Sequence, residues 1–495
     1  MKDALLIALA YLAANRFPMA SGRGYLEACA AFLLPALLFA ALARGRRLGW
    51  AYLGLLAGTA GGFHWVPEVM HSKAPMPMAA ALGVGLLFFA YEALGILAVA
   101  ALARWAWGRR PLAGALAAGL GMALWQTWAF HIYDLSYASP LGAVPWMARS
   151  AAFLGAQGLV ALLWGLGAWT GFQAARGAGP RRILAGPALL LLLLGSLDAA
   201  WHYLPRGPQR ALDVVMIQPN YPPGERMPGM EADMWRRTDA ELRRAGLPRP
   251  GFATLVLWPE SSVLGRDDRA PGGRLSREAQ DRGVAWLYGT EGGRFNLVRG
   301  EAAGQPSFIQ AKVVPMPFGE RMPGPPPVRD FLDRHLDFYS AEAGVLGPGS
   351  SFRFPTPQGP LTVHPLICSE ALLEQRVADG LALAGGDLLA NLTNDGWFDR
   401  SVATDLHAVQ IRLRAVEAGL PLLRATLTGK SGLFRADGSW ELWGQPMTEA
   451  SRSLHLVWRP IATPARHPWL APGILALLTL AFVLAAWNKR DPRLN

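Results

Sequence analysis

Cysteine and charge are both scarce in this 495-residue chain, and each scarcity closes off a class of protein. Only Cys29 and Cys368 are present, and Cys29 lies inside an apolar run, so a disulfide framework is excluded and at least one thiol is free. Charged residues make up 17% of the sequence against 52% hydrophobic, where soluble domains carry roughly 25% charge. With a mean hydropathy of +0.20, a plain cytosolic enzyme does not fit. Metal spacing is missing as well, because the nine histidines are scattered and neither C-x-x-C nor H-E-x-x-H occurs. No phosphate-cradling glycine motif is found, so no metal and no cofactor are expected. Nor is the net charge of +11 a nucleic-acid footprint. Of 47 Lys and Arg, 17 fall in residues 1–205 and 467–495 against 7 acids, whereas residues 206–466 carry 30 against 29. Nucleic-acid binding needs a basic patch on a folded domain.

What the chain does have is long apolar runs. A helix needs about 20 apolar residues to cross the hydrocarbon of a bilayer. Residues 25–43, 48–66, 77–103, 111–132, 150–172, 183–200 and 470–487 approach or exceed that length, and Ala4 to Ala14 reads as a further, shallow span. With eight spans, the short loops bearing Lys2, Arg44, Arg46, Arg47, Arg104, Arg109, Arg110, Arg176, Arg181, Arg182, Lys489 and Arg490 fall on one side. By the positive-inside rule that side is the cytoplasm. Both termini are then inside, and the expected organisation is a bundle over residues 1–200, one extracytoplasmic domain over 201–467 and a last span with its tail over 468–495. Glu27, His64, Glu92, His131 and Asp198 are the few ionisable residues in the runs, too few for a coupled transport path.

From Ala211 the pattern changes to short apolar stretches between Gly/Pro turns. Strands are expected at 212–217, 253–257, 285–288, 310–314, 361–367, 388–392 and 421–426, and helices at 232–244, 276–283, 370–380 and 403–419. That alternation predicts a layered α/β fold with its chemistry at strand ends. Glu260 follows LVLW and a proline, Lys312 lies in an alternating strand, and Cys368 closes LTVHPLI and opens a helix. A carboxylate, an ammonium and a thiol are the parts of an acyl-transfer site: base, oxyanion stabiliser and nucleophile. A free thiol with a pKa of about 8.5 needs a base and a cation or helix N-terminus to attack as thiolate. Taken singly, a cysteine after an apolar strand is most often buried packing, and a glutamate after a proline could simply cap or face solvent. Lys312 stands out because Arg fills 28 of the 30 basic positions in residues 206–466, and Arg is no compact donor.

The ordered segments WPES (258–261), KVVPMPFGE (312–320), LICSE (366–370), NLTNDGWF (391–398) and RAVEAGLPLLRAT (414–426) resemble the carbon–nitrogen hydrolase (nitrilase) superfamily. With the eight spans and the domain placed between the last two, they resemble its apolipoprotein N-acyltransferase branch over essentially the whole chain. The resemblance implies an αββα sandwich with a Glu260–Lys312–Cys368 triad. Cys368 would take an acyl chain from a phospholipid, typically the sn-1 chain of phosphatidylethanolamine, as a thioester. Glu260 would be the base, Lys312 the oxyanion stabiliser, and the acceptor the α-amino group of a diacylglyceryl-cysteine on an apolipoprotein. Glu320 and Glu370 match further acidic positions of the family. Trp235, Met316, Phe318, Asn394, Trp397 and Phe398 are assigned to substrate contact, the segment 315–328 reading as a lid loop. Phospholipid, apolipoprotein and bilayer are the partners, with a monomer expected in a bacterial inner membrane. Ser369, Leu427 and Gln126 depart from the usual pattern, outside the triad. A membrane-tethered hydrolase using water, and a transporter or scaffold carrying an inert domain, are the competing readings.

Overall fold

The computed structural model describes residues 2–16, 24–45, 48–73, 76–221, 229–263, 273–335 and 340–487. The chain divides into two compact units, Met1–Leu204 with Thr463–Asn495, and Pro205–Ala462.

The first unit is helical, as runs of Ala, Leu and Gly without polar interruption require. Its elements are α1 (Lys2–Arg16), α2 (Gly24–Ala43), α3 (Leu48–Gly62), α4 (Trp65–Ser72), α5 (Met78–Trp107), α6 (Pro111–Trp128), the one-turn α7 (Ser139–Gly142) and α8 (Pro145–Ala148), α9 (Ala151–Ala175), α10 (Pro180–Trp201) and a C-terminal helix, Leu470–Trp487. Four of these, α2, α5, α9 and α10, are long and apolar enough to cross a membrane. Helices α1 and α3 have 15 residues each, and α6 and the C-terminal helix 18. The single span expected over 48–66 is interrupted, because α3 ends at Gly62 and the chain turns through Phe63 and His64 into α4. Arg46, Arg47, Lys489 and Arg490, which belong to the orientation argument, lie outside the described residues. Small residues let the helices approach. A Cβ on Gly171 of α9 would meet the Ala36 carbonyl oxygen of α2 at 2.2 Å, so that crossing tolerates only glycine. Two of the ionisable residues are paired inside the unit: Glu92 Oε1 lies 2.7 Å from His131 Nδ1, and Glu92 is buried.

The second unit carries β1 (Arg210–Gln218), α11 (Met230–Ala245), β2 (Thr254–Leu257), α12 (Arg274–Arg282), β3 (Ala285–Gly292), β4 (Phe295–Glu301), β5 (Phe308–Ala311) and α13 (Pro326–His335). It continues with β6 (Phe352–Phe354), β7 (Leu361–Ile367), α14 (Glu374–Ala384), β8 (Leu388–Thr393), α15 (Ala403–Ala418), β9 (Leu422–Thr426), β10 (Gly432–Phe434), β11 (Trp440–Leu442) and β12 (Ala450–Trp458). Two six-stranded sheets result, in the orders β12-β1-β2-β3-β4-β5 and β11-β10-β9-β8-β7-β6. Alternation along the strands sorts the side chains between layers. Leu212, Val214 and Met216 of β1 join Leu255, Leu287, Val363, Ala390 and Leu423 in a core between the sheets, while Val215, Ile217, Val256 and Trp286 pack outward with Met234, Trp235 and Leu242 of α11 and Leu275 of α12. Both faces of the central strands are buried, which is why they read as unbroken apolar runs rather than alternating ones.

Candidate active site

Glu260 is presented by the turn that comes after β2. Its backbone runs against β3, where Gly289 donates from N to the Pro259 carbonyl at 3.1 Å and its own carbonyl accepts from Ser262 N and Val263 N at 3.0 and 3.1 Å. A Cβ on Gly289 would stand 2.4 Å from Glu260 Cα. The close approach holds the carboxylate in the interior, 5% exposed.

Lys312 lies one residue past the end of β5 rather than within a strand, and its N–H bonds the Asn296 carbonyl of β4 at 2.8 Å. Its ammonium is buried between two carboxylates, 2.6 Å from Glu320 Oε2 and 3.8 Å from Glu260 Oε1. Asn296, to which no sequence motif points, ties the same two acids together by donating from Nδ2 to Glu260 Oε1 at 2.6 Å and to Glu320 Oε1 at 2.9 Å. Glu320 also accepts from Met316 N at 2.7 Å. It therefore fixes the ammonium and the turn containing Met316 and Phe318 at once.

Cys368 stands at the end of β7 with φ of +52°, a left-handed conformation costing a non-glycine residue about 1–2 kcal/mol. It opens a 3₁₀ turn, Cys368–Leu372, and α14 starts only at Glu374. The α-helix expected to open at Ser369 is displaced because Glu370 folds back. Glu370 Oε2 accepts from Ile367 N at 2.9 Å, and Oε1 from Val313 N at 2.7 Å and Val314 N at 3.3 Å, with Arg376 Nε at 3.2 Å. One buried carboxylate thus fastens the end of the cysteine strand to the backbone just after Lys312.

The electrostatics arise from burying two carboxylates and one ammonium beside a thiol. Burial raises the Glu260 carboxyl first and Glu320 adds to it, against the opposing Lys312, Asn296 and the hydrogen-bonded Cys368 thiol; the net result is a raised pKa. Glu320 is held below its ordinary range, since Lys312 and the hydrogen bonds it accepts outweigh its burial. Lys312 is raised, the carboxylates around it, Glu320 foremost, overcoming its own burial. Burial, with the Glu260 charge second, pushes the Cys368 thiol up to about 12. A helix start would favour thiolate. The structure instead holds a neutral thiol against a carboxylate of raised proton affinity, an arrangement suited to proton transfer during attack.

The remaining residues assigned from sequence are spread out. Asn394 caps the 3₁₀ turn Asp395–Phe398 by accepting from Gly396 N at 3.1 Å. Phe398 packs edge-on to His407. Trp235 packs against Trp258 and Trp286 at 4.9 Å from each, in the outer core and not in the layer that holds Cys368. Leu427 packs in that same outer core, Ser369 is half-buried, and Gln126 Oε1 accepts from Tyr137 N at 3.0 Å. The segment 315–328 is a turn over 317–321 followed by a stretch outside helix and strand, and only its last three residues, 326–328, belong to α13. Among the described residues no group of His, Cys, Asp and Glu could hold a metal ion.

A six-plus-six-stranded sandwich with a Glu, Lys and Cys converging in its interior defines the class as a carbon–nitrogen hydrolase domain joined to an apolar helical unit. Residues 304–451 match the family model of carbon–nitrogen hydrolases. The apolipoprotein N-acyltransferase of Pseudomonas syringae pv. tomato is 30% identical over 428 residues, 80% of this chain and 78% of that relative. That of Pseudomonas paraeruginosa is 28% identical, covering 92% of this chain and 88% of its own. That of Allorhizobium ampelinum is 29% identical over 322 residues, 60% of this chain and 57% of the relative. The chain belongs to the apolipoprotein N-acyltransferase family.

Proposed function

We propose that this protein moves an acyl chain from a membrane phospholipid to the α-amino group of an N-terminal diacylglyceryl-cysteine on an apolipoprotein, through a thioester on Cys368. The observation that carries the reading is the convergence of Cys368, Glu260 and Lys312 in a buried layer, with Asn296 and Glu320 fixing the last two. Cys368 Sγ attacks the ester carbonyl while Glu260 takes the thiol proton, and the oxyanion forms against the Lys312 ammonium. Collapse breaks the ester bond, Glu260 returns the proton to the glycerol oxygen, and lysophospholipid departs. The acceptor amine then attacks the thioester, Glu260 takes a proton from it, and the thiolate leaves and is reprotonated. One site serves both halves, so the kinetics are ping-pong.

Phosphatidylethanolamine is the donor class in this reading, and Met316, Phe318, Trp397 and Phe398 border the acyl chain. The segment over 201–467 faces the outside of the cytoplasmic membrane with both termini inside and eight crossings in all, supported by the one-sided basic loops and the run of apolar helices. Incubation of the purified protein with phosphatidylethanolamine and a diacylated lipopeptide tests the reading. Triacylated peptide and lysophospholipid in equal amounts support it. Free fatty acid with unmodified peptide contradicts it and points to a hydrolase.

A further inference from the structure

We infer that Arg424 and Asn391 are positioning residues for the nucleophile: Arg424 sets the orientation of the Asn391 amide, and that amide holds Cys368 in its left-handed conformation. The inference rests on the assignment of Cys368 as the nucleophile, and it concerns two residues that lie outside the hydrogen bonds joining Glu260, Lys312, Asn296 and Glu320.

Three neighbouring strands bring the parts together. Leu366 of β7 pairs with Asn391 of β8, which pairs in turn with Arg424 of β9. The Asn391 side chain lies under the strand end, and its Nδ2 donates to the carbonyls of Leu366 at 3.0 Å and of Cys368 at 3.1 Å. It therefore grips the chain on both sides of Ile367 and at the residue whose φ is +52°. A buried amide is ambiguous about which end points where unless a neighbour decides. Arg424 decides here, because a guanidinium can only donate and its Nη1 lies 2.6 Å from Asn391 Oδ1. With the oxygen committed to Arg424, the NH₂ group must face the two carbonyls. Arg424 is in turn balanced by Asp395, which accepts from Nη2 at 2.7 and 2.5 Å. All three side chains are buried, Asn391 and Arg424 completely. The pairing with Asp395 neutralises the guanidinium on its other edge and fixes its plane, leaving Nη1 to the amide. A buried charge pair is a poor source of stability, so its place beside the nucleophile points to geometry as its purpose.

The test uses the full-length protein in detergent with a Cys29→Ser background, so that only Cys368 alkylates. Asn391→Ala and Arg424→Gln are compared with the parent by thermal unfolding, by steady-state acyl transfer and by the rate of iodoacetamide modification measured without lipid. The expected result is a kcat lowered about 10–100-fold, the scale of misplacing a reacting group by about 1 Å, with KM within about threefold. The alkylation rate should change in both variants with its pH profile shifted, and the double variant should lose no more than the worse single one. Wild-type kcat and alkylation in a folded Asn391→Ala protein overturn the inference, as does strict additivity of the two substitutions. If Arg424→Gln fails to fold, Asn391→Ala decides alone. If instead a Cys368→Ala protein transfers acyl chains, the underlying assignment fails, and that outcome is separate from both.

Discussion

Lys312 shows how far one side chain can be specified by its surroundings. Its ammonium lies 2.6 Å from Glu320 and 3.8 Å from Glu260, in a space that leaves it 1% exposed. An arginine would bring the same charge on a wider planar group. Lys312→Arg is therefore expected to lower kcat by about 10²–10³-fold, the usual loss on removing one oxyanion donor, measured in the acyl-transfer assay. Glu260 gives a second prediction. Its raised pKa means that activity falls on the acid side at a pH above the ordinary glutamate value of 4.5, as the base becomes protonated. The Cys368 thiol, pushed up to about 12, sets no alkaline limb below that pH. A kcat/KM profile with its acid limb at or below the ordinary glutamate value would contradict this. Glu260, Lys312 and Cys368 were picked out in sequence by motif order, and Lys312 also by the rarity of lysine around it. Asn296 and Asn391 were not, because an asparagine in a strand has the pattern of any solvent-facing polar residue until the fold brings it to partners 36 and 23 residues away.

At the scale of elements, the seven expected strands of the second unit correspond to β1, β2, β3, β5, β7, β8 and β9, mostly buried apolar strands except β5, which ends at Ala311 and so meets the expected 310–314 at two residues only. The missed ones are β4, β6, β10, β11 and β12, short or mixed in character: β12 buries little of its length, and β6, β10 and β11 have three residues each. Pairing partners, not composition, make these strands. The helix displaced from Ser369 has a related cause, since Glu370 spends its carboxylate on backbone N–H groups and so forms a turn where propensity reads helix. One close contact between elements is that of β3 with the Glu260 turn. Gly289→Ala places a Cβ 2.4 Å from Glu260 Cα and 2.6 Å from the Pro259 oxygen, so the turn must shift. A fall in kcat of at least about 10-fold is expected, by misplacement of the base, together with a lower unfolding temperature. Full activity in that variant would show that the turn moves without cost.

For the whole molecule, the division into an apolar helical unit and an α/β unit was legible from hydropathy, whereas the break of the 48–66 run into α3 and α4 was not. Short helices such as α1 and α3 carry the same composition as long ones, and length is decided by where glycine and loop residues stop them. Acid stability is a property of the second unit as a body. His407 is buried against Asp395 and Arg424, and burial first, then Arg424, pushes its pKa down to about 4, while Arg424 and His407 overcome burial to hold Asp395 at about 2. Between about pH 6.5 and 4 an unfolded histidine binds a proton that the native one does not, so stability falls as pH drops through that window. His407→Gln is expected to flatten that part of an unfolding-temperature profile; an unchanged slope would remove His407 as the cause. Asp395 contributes stability above about pH 3.8 that is lost as the pH falls toward 2. The central claim is a covalent acyl-enzyme, and mass spectrometry of the Cys368 peptide after incubation in phosphatidylethanolamine tests it most directly. The account predicts a hydroxylamine-labile acyl mass on that peptide that is absent from Cys368→Ala, persists in water and is lost when a diacylated lipopeptide is added. No adduct, or one discharged by water as fast as it forms, would contradict it.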